Sequence, residues 1–190
     1  MLRDQLTTTF PNSIPLNHEL KWVFNDRWFR IHSLPESKRY ADSQNERKML
    51  LARQYDVIDN ILGGPEEVLA LVQFYSTDEL DQERLYIQNI SNFNLVWEIN
   101  LKLIYKEEYE DCDNIYLEIY SKPWSDVTNK NKLLLAVAND RLEMLLVNFA
   151  KKRIVAPYDG GVDVILDTQR EVGIHKRLYS DWLSSHPQGL

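Results

Sequence analysis

The sequence predicts a single α+β domain in which a long helix packs on a largely antiparallel sheet. Three observations lead to this fold class. The chain has 190 residues, a length that one domain accommodates. A helical repeat of apolar residues extends over residues 44–62. Short apolar segments separated by turn residues follow, at spacings typical of antiparallel strands. We therefore expect residues 1–190 to form one domain, with a further helix at the C-terminus.

The long helix is predicted by its apolar spacing and by both of its ends. Ser43 and Glu46 form a capping box, in which each side chain satisfies a free backbone amide of the other residue. Gly63, Gly64 and Pro65 end the helix, because glycine accepts a left-handed conformation and proline cannot continue the hydrogen bonding. The apolar positions recur at intervals of three and four residues, at Leu51, Tyr55, Ile58 and Leu62.

Four segments in the first two thirds of the chain predict strands. Residues 27–32 alternate cationic and apolar side chains, and residues 68–75 are rich in Val, Leu, Phe and Tyr. Residues 97–105 alternate apolar and polar side chains, broken only at Ile104, which predicts a strand with one face in water. Residues 115–120 repeat this pattern more briefly.

The last third predicts strands over residues 142–149, 153–158 and 162–166 at hairpin spacing. Asp159, Gly160 and Gly161 form the turn between the last two, and we expect the glycines to supply a positive φ there.

An N-terminal amphipathic stretch and two further helices complete the predicted fold. Residues 2–10 form a short amphipathic stretch that Pro11 ends. Residues 132–138 are a run of Leu, Ala and Val that fits either a helix or a strand, and their Ala and Leu residues favour a short helix. Thr168 and Glu171 form a second capping box. This box begins the final helix. Five of its residues lie on one face: Val172, His175, Leu178, Tyr179 and Trp182.

Composition excludes several classes of protein. The mean hydropathy is -0.43, and no apolar run approaches the ~20 residues of a membrane-spanning helix. Arg3, Asp4 and the threonines that follow leave no apolar core for a signal peptide. A single cysteine, Cys112, excludes an internal disulfide and a cysteine zinc cluster. These features predict a cytosolic protein without a membrane association.

Charge is distributed unevenly along the chain. The formal net charge is -7, which argues against a nucleic-acid partner because phosphate binding requires converging Lys and Arg side chains. Residues 55–120 carry fifteen acids and three bases. Such a segment is able to steer a basic protein partner. The alternative is a solvated acidic face that keeps the protein in solution.

The segment 28–40 groups cations, hydroxyls and an imidazole around one strand end. Arginine supplies a bidentate fork, lysine a point charge and serine a neutral donor, which together suit a small anionic ligand. His32 is also a candidate base for a serine, but no acid is placed by sequence to orient it. The alternative is a turn with surface ion pairs. The candidate ligand-binding residues are Arg30, His32, Ser33, Ser37, Lys38 and Arg39.

A second candidate segment contains Tyr158, Asp159 and Asp163. Two carboxylates near one hairpin end suit a divalent cation, but turn chemistry explains the same residues more simply. We therefore predict no metal site and no cofactor. Asp163 is either a residue of the wet face or a partner for an arginine. If the two segments meet, a carboxylate beside His32 is expected to raise the pKa of its imidazole.

The stretches WFRIHSLPESKRYA, PYDGGVDVIL and YSDWLSSHPQGL resemble a family of uncharacterised bacterial proteins, a domain of unknown function. The resemblance extends from about residue 20 to the C-terminus. It implies that both candidate segments belong to one domain and that the setting is a bacterial cytosol. It brings no substrate, cofactor or catalytic residue.

Two functions of different classes remain as hypotheses. The first is a small bacterial interaction protein, immunity-like or regulatory, that binds a basic protein and has no catalytic activity. It is motivated by the missing catalytic constellation and by the acids of residues 55–120. The second is an enzyme or sensor that binds a small anionic ligand at residues 30–39.

Overall fold

The computed structural model describes residues 2–76, 87, 92–107 and 115–184. These residues contain six α-helices: α1 (Leu2–Thr9), α2 (Leu20–Val23), α3 (Gln44–Leu62), α4 (Leu101–Ile104), α5 (Lys130–Ala138) and α6 (Gln169–Leu178). They also contain seven strands: β1 (Trp28–His32), β2 (Leu69–Tyr75), β3 (Asn94–Asn100), β4 (Tyr116–Pro123), β5 (Glu143–Asn148), β6 (Arg153–Pro157) and β7 (Gly161–Ile165). Within the described residues, no helix has the length and apolar character needed to cross a membrane.

All seven strands belong to one sheet in the order β1-β7-β6-β5-β2-β4-β3. Each neighbouring pair is antiparallel, which confirms the predicted α+β class. Strands β5, β6 and β7 follow one another as hairpins. Strand β1 pairs with β7, so that two segments far apart in sequence become neighbours at one edge of the sheet. Strand β3 forms the other edge.

The sheet is covered by helices on both faces, because the apolar side chains of its strands alternate between two cores. On β2, Ala70 and Val72 point to the core that contains residues of α3, α5 and α6, whereas Leu71 points to the core that contains residues of α1 and α2. We call these sides the α3 face and the α1 face. The predicted packing of the long helix on the sheet is therefore confirmed.

Helix α3 begins and ends as its sequence predicts. The Ser43 hydroxyl accepts the amide hydrogen of Glu46 at 3.2 Å, and the Glu46 carboxylate accepts that of Ser43 at 3.1 Å. Gly63 ends the helix with a φ of 85°. Few residues other than glycine adopt this conformation without strain.

The strand predicted over residues 97–105 is only partly correct, since β3 ends at Asn100 and the chain then forms α4. A helical turn places Leu101 and Tyr105, four residues apart, on the same side. Both pack into the α1-face core. Leu103 is consequently 82% exposed, although strict alternation would have buried it with Leu101. Ile104, which breaks the alternation in the sequence, lies in this turn.

The face predicted for the last helix is also only partly correct. Val172 and Tyr179 are buried, and His175 is half-buried with its ring stacked on Phe29 at 6.4 Å between centroids. Leu178 is 64% exposed. It precedes Tyr179 by one residue and is therefore rotated by about 100° away from the buried stripe.

Candidate functional site

The two segments singled out by sequence meet because β1 pairs with β7. In this register Arg30 lies opposite Asp163, and both side chains are on the α1 face. The guanidinium of Arg30 donates from Nε to Oδ1 of Asp163 at 2.6 Å and from Nη2 to Oδ2 at 2.8 Å. This is the bidentate geometry of the strongest arginine–carboxylate pairs. Of the alternatives left open for Asp163, the structure therefore selects the arginine partner.

The Arg30 guanidinium lies between two aromatic rings. It is 4.5 Å from the centroid of Tyr158 and 5.5 Å from that of Trp28. Burial disfavours the charge of Arg30, but the hydrogen bonds and the negative charge of Asp163 outweigh it and raise the pKa of Arg30. Burial also raises the pKa of Tyr158 well above its usual value, so this hydroxyl stays neutral. The pair is thus a fixed and enclosed ionic contact.

Asp159 forms a second ionic contact, which joins the turn between β6 and β7 to the loop after β1. Its carboxylate accepts a hydrogen bond from Nε of Arg39 and another, at 3.0 Å, from the hydroxyl of Tyr40. The Asp159 hydrogen bond raises the pKa of Arg39. The Asp159 side chain is 8% exposed, whereas that of Arg39 is 64% exposed. We call Arg30, Arg39, Asp159 and Asp163 the arginine cluster.

The loop between these contacts contains a left-handed turn. Glu36 and Ser37 both have a φ of 56°, and the amide of Lys38 donates to the carbonyl of Pro35 at 3.1 Å. Consecutive left-handed residues other than glycine are unfavourable and require support from the surrounding structure. Lys38 supplies part of this support, because its Nζ lies 2.6 Å from Oε1 of Glu46 and 3.0 Å from Oδ2 of Asp42.

Lys38 is therefore paired like the two arginines. Its hydrogen bond lowers the pKa of Glu46 to about 2. All three cations of residues 30–39 thus have carboxylate partners. Ser37 is exposed.

The predicted rise of the pKa of His32 is wrong. Burial, followed by the positive charge of Arg30, lowers the pKa of His32, and the Gly160 backbone and Asp163 oppose this only in part. Arginine rather than histidine joins the two segments. Ser33 is 2% exposed, and its hydroxyl has no hydrogen-bond partner in the described part of the chain. Neither ring nitrogen of His32 has a hydrogen-bond partner in the described part of the chain, so the structure shows no hydrogen bond between this imidazole and the hydroxyl of Ser33 or Ser37.

The turn at residues 159–161 is present, but the reason given for its glycines is wrong. Among the described glycines, a positive φ occurs at Gly63 and not at Gly160 or Gly161. Gly161 is required for a different reason. A Cβ atom at this position would lie 2.0 Å from the carbonyl oxygen of Ile31, which is backbone and has little freedom to move. The close approach of β1 to β7 therefore requires a glycine at position 161.

A cavity of about 290 Å³ opens beside the arginine cluster on the α1 face. Five of the predicted site residues line it: Arg30, Arg39, Tyr158, Asp159 and Asp163. The other four, His32, Ser33, Ser37 and Lys38, do not. Four polar lining residues were missed by sequence reasoning: Asn17, His18, Asp140 and Glu143.

Glu143 carries the one sequence signal that could have revealed this cavity. It alternates with Leu145 and Val147, which belong to the α1-face core, so period two places an acid at an inward position. Burial raises the pKa of Glu143, against the opposing influence of His18. No group of three His, Cys, Asp or Glu able to hold a metal ion occurs among the residues that the structure describes.

Fold and site together define a class of protein: an α+β domain built on one antiparallel sheet, with arginines held by internal carboxylates across its β1–β7 edge. The family comparison then gives the particular assignment. The chain belongs to the family described as a domain of unknown function, DUF3885, whose model matches residues 16–187. No curated protein and no solved structure matches the chain.

Proposed function

We propose that this protein is an interaction module that binds a basic protein along the edge formed by β3 and α4. The observation that carries the proposal is a set of large apolar side chains left in contact with water at this edge. Leu103 is 82% exposed, and the others range from 71% to 40%. We call this set the apolar edge: Trp22, Leu95, Val96, Leu103 and Ile104.

Part of the apolar edge surrounds a groove. Trp22 and Ile104 line a common depression of about 520 Å³, together with Ile14, Val23 and Tyr105. Soluble proteins rarely leave large contiguous apolar surfaces exposed unless another molecule covers them. Aromatic and aliphatic side chains beside a groove are also the usual anchors of a protein interface.

The backbone of β3 adds a second binding element. Within the described residues, β3 pairs on one side with β4 and has no strand on its outer side. A bulge between Leu95 and Trp97 interrupts the ladder near its start. The regular part of β3, from Trp97 to Asn100, has an outer side that no described strand pairs with, and a strand of another protein is able to add to such a side.

The charge of the sequence on both sides of this edge favours a basic partner. Residues 77–91 contain four acids and one arginine, and residues 106–114 contain five acids and one lysine. These segments precede β3 and follow α4 along the chain. Such acidic segments attract a basic protein over long range and repel a second copy of this acidic chain.

The biological setting extends the proposal. A protein that covers a basic partner is suited to neutralise or regulate it, which corresponds to an immunity-like or regulatory role in a bacterial cytoplasm. No catalytic step is part of this proposal. The alternative of a small anionic ligand at residues 30–39 receives less support, because Arg30, Lys38 and Arg39 already bind carboxylates of the chain.

Affinity capture with matched variants tests the proposal. Wild type, a Leu103→Ser/Ile104→Ser double variant and the control Leu178→Ser are each immobilised and exposed to a lysate of the source cell. Leu178 is a suitable control because it is 64% exposed on α6, away from the apolar edge. We expect wild type and control to capture the same basic protein and the double variant to lose it.

The captured protein is then purified and its association is measured at low and at physiological salt. Steered association slows steeply as salt rises, whereas dissociation changes less. Equal binding by the double variant, or an association rate that does not depend on salt, would overturn the proposal.

A further inference from the structure

The groove beside the apolar edge contains a carboxylate among its apolar walls. Glu19 lines it together with Trp22, Val23, Ile104 and Tyr105. Among the described residues of this lining, Glu19 is the one that carries a charge. An apolar occupant would cover this carboxylate without a partner, and burying an unpaired charge costs free energy. The acid therefore favours an occupant with a positive charge.

Glu19 and Trp22 lie on one side of a continuous helical segment. A short 3₁₀ turn, Asn17–Glu19, leads directly into α2, and Glu19 and Leu20 both have right-handed helical dihedral angles. Residues three and four apart on a helix are neighbours on its surface. Glu19 therefore has Trp22 and Val23 beside it, in agreement with their common place on the groove wall.

The carboxylate of Glu19 is held in position and keeps a free oxygen. Its Oε1 accepts a hydrogen bond from the hydroxyl of Tyr105, which directly follows α4. Its Oε2 has no hydrogen-bond partner among the described residues and is in contact with solvent. No Lys or Arg side chain in the described part of the chain forms an ion pair with Glu19. The carboxylate is thus oriented but not neutralised.

The aromatic wall of the groove attracts cations. Trp22 is 71% exposed, and Nζ of Lys21 lies 4.8 Å from the centroid of its ring. A cation at this distance is attracted by the electron-rich face of the indole. Because so much of Trp22 is exposed, Lys21 leaves most of the ring in contact with water.

The arginine cluster shows which side chain such an arrangement holds in this protein. There the guanidinium of Arg30 lies 4.5 Å from the centroid of the Tyr158 ring and donates two hydrogen bonds to Asp163. The groove offers the same two components, an aromatic ring on Trp22 and a carboxylate on Glu19. No arginine is among the described residues of its lining.

We propose that the groove binds an arginine side chain of the basic partner, whose guanidinium stacks on Trp22 and donates hydrogen bonds to Glu19. The inference rests on the proposed function, because it names the side chain by which the apolar edge recognises its partner. Arginine is favoured over lysine, since its planar group stacks on aromatic rings and binds a carboxylate through a fork. Its aliphatic stem suits the apolar wall that Val23 and Ile104 provide.

The first experiment measures the binding of defined peptides to the full chain by NMR. Three five-residue peptides with blocked ends contain arginine, citrulline or leucine between alanines, and citrulline has nearly the shape of arginine without its charge. The indole signal of Trp22, identified by its loss in Trp22→Phe, reports binding in the groove. We expect the arginine peptide to move this signal in a saturable way and to bind at least about fivefold more tightly than the other two. Equal or tighter binding of the citrulline or leucine peptide, or binding of none, would overturn the proposal.

Variants then test the roles of the two charges beside Trp22. Glu19→Gln keeps the shape and the acceptor for Tyr105 but removes the charge, and it should weaken binding of the arginine peptide about tenfold. Lys21→Gln removes a competing cation and should tighten the same peptide about twofold. Asp59→Asn is the control, because Asp59 is an exposed acid on α3, which packs on the other face. Unchanged affinity in Glu19→Gln, or a loss of affinity in Lys21→Gln, would overturn the proposal.

The peptide measurements and the capture experiment fail independently of each other. The peptides are defined probes, so the dependence of their binding on Glu19 is measured whether or not a basic protein is captured. If Leu103→Ser/Ile104→Ser abolishes capture of the basic protein but Glu19→Gln leaves its affinity unchanged, the proposed function stands and the arginine pocket is wrong. If the arginine peptide requires Glu19 but the double variant captures the same proteins as wild type, the pocket stands and the proposed function is wrong.

Discussion

The arginine cluster and the apolar edge lie at the two edges of one sheet and differ in how their side chains are satisfied. In the cluster, each arginine has a carboxylate partner from the chain, and the aspartates are almost fully buried. At the edge, large apolar side chains are exposed. A region whose groups are paired internally stabilises the fold, whereas a region with exposed apolar surface gains free energy when another molecule covers it. Mutations should therefore affect stability at the cluster and binding at the edge.

The largest effect on stability is expected from Asp163→Asn. This change leaves the Arg30 guanidinium enclosed by two rings without its counter-charge, and breaking one side of a buried pair costs about 3–5 kcal/mol. Urea denaturation at neutral pH measures the loss. Asp167→Asn is the control, because Asp167 is 41% exposed and its nearest cations are 3.6 and 4.0 Å away. It should cost less than about 1 kcal/mol. Equal losses in the two variants would show that the cluster is not an enclosed pair.

The next effect is expected from Gly161→Ala. The added Cβ collides with the backbone of β1, and such overpacking costs about 1–3 kcal/mol, or more where backbone must shift. Gly173→Ala in α6 is the matched control, since the nearest atom to its Cβ is Nη1 of Arg177 at 3.8 Å. That variant should gain up to about 1 kcal/mol from helix propensity. If Gly161→Ala leaves the free energy of unfolding unchanged, β1 does not approach β7 this closely.

A smaller effect concerns the pH dependence of stability. The pKa of His32 is lower in the folded protein than its reference value near 6.5. The unfolded chain therefore binds the proton more readily, and stability falls as pH drops below the unfolded pKa. His32→Gln should flatten this part of the curve. An NMR titration of His32 measures the pKa of its imidazole in the folded protein. A value above 6.5 would contradict the structure and would indicate that a carboxylate governs the charge of His32.

The smallest effect on stability is expected at the apolar edge. Leu103 is 82% exposed, so Leu103→Ser removes little buried surface and should change the free energy of unfolding by less than about 0.5 kcal/mol. Thermal and urea denaturation check this. A loss comparable to that of Asp163→Asn would show that Leu103 belongs to the core and that the edge has no surface to offer a partner.

Local patterns in the sequence were sufficient for most elements of the fold. The limits of α3 agree with the prediction because its capping box, its apolar spacing and Gly63 all depend on neighbouring residues. The same applies to the hairpins of β5, β6 and β7, where short turns leave few alternatives. The prediction of an acidic partner-steering segment lies mostly outside the described residues, as eight of its fifteen acids fall in 77–86, 88–91 and 108–114.

The candidate site depended on contacts that no local pattern contains. The sequence identified Arg30 and Asp163 as unusual, but only the pairing of β1 with β7 brings them together across 133 positions of chain. The expectation for His32 was also reversed, because burial in the folded protein, followed by the charge of Arg30, lowers the pKa of its imidazole. Asp140 lies in the turn after α5 and Glu143 lies on β5, and the tertiary structure brings both to the cavity that Arg30 and Asp163 line.

The sequence by itself therefore determined most of the helices and strands, with the exceptions of α2 and α4, and the antiparallel character of the sheet. These properties follow from periodicity and turn chemistry, which act over a few residues. The tertiary structure decided which charges are paired, why Gly161 must be glycine and which apolar side chains stay exposed. Those outcomes depend on distances between segments far apart in the chain, and the strand order that sets these distances is fixed by the packing of both cores at once.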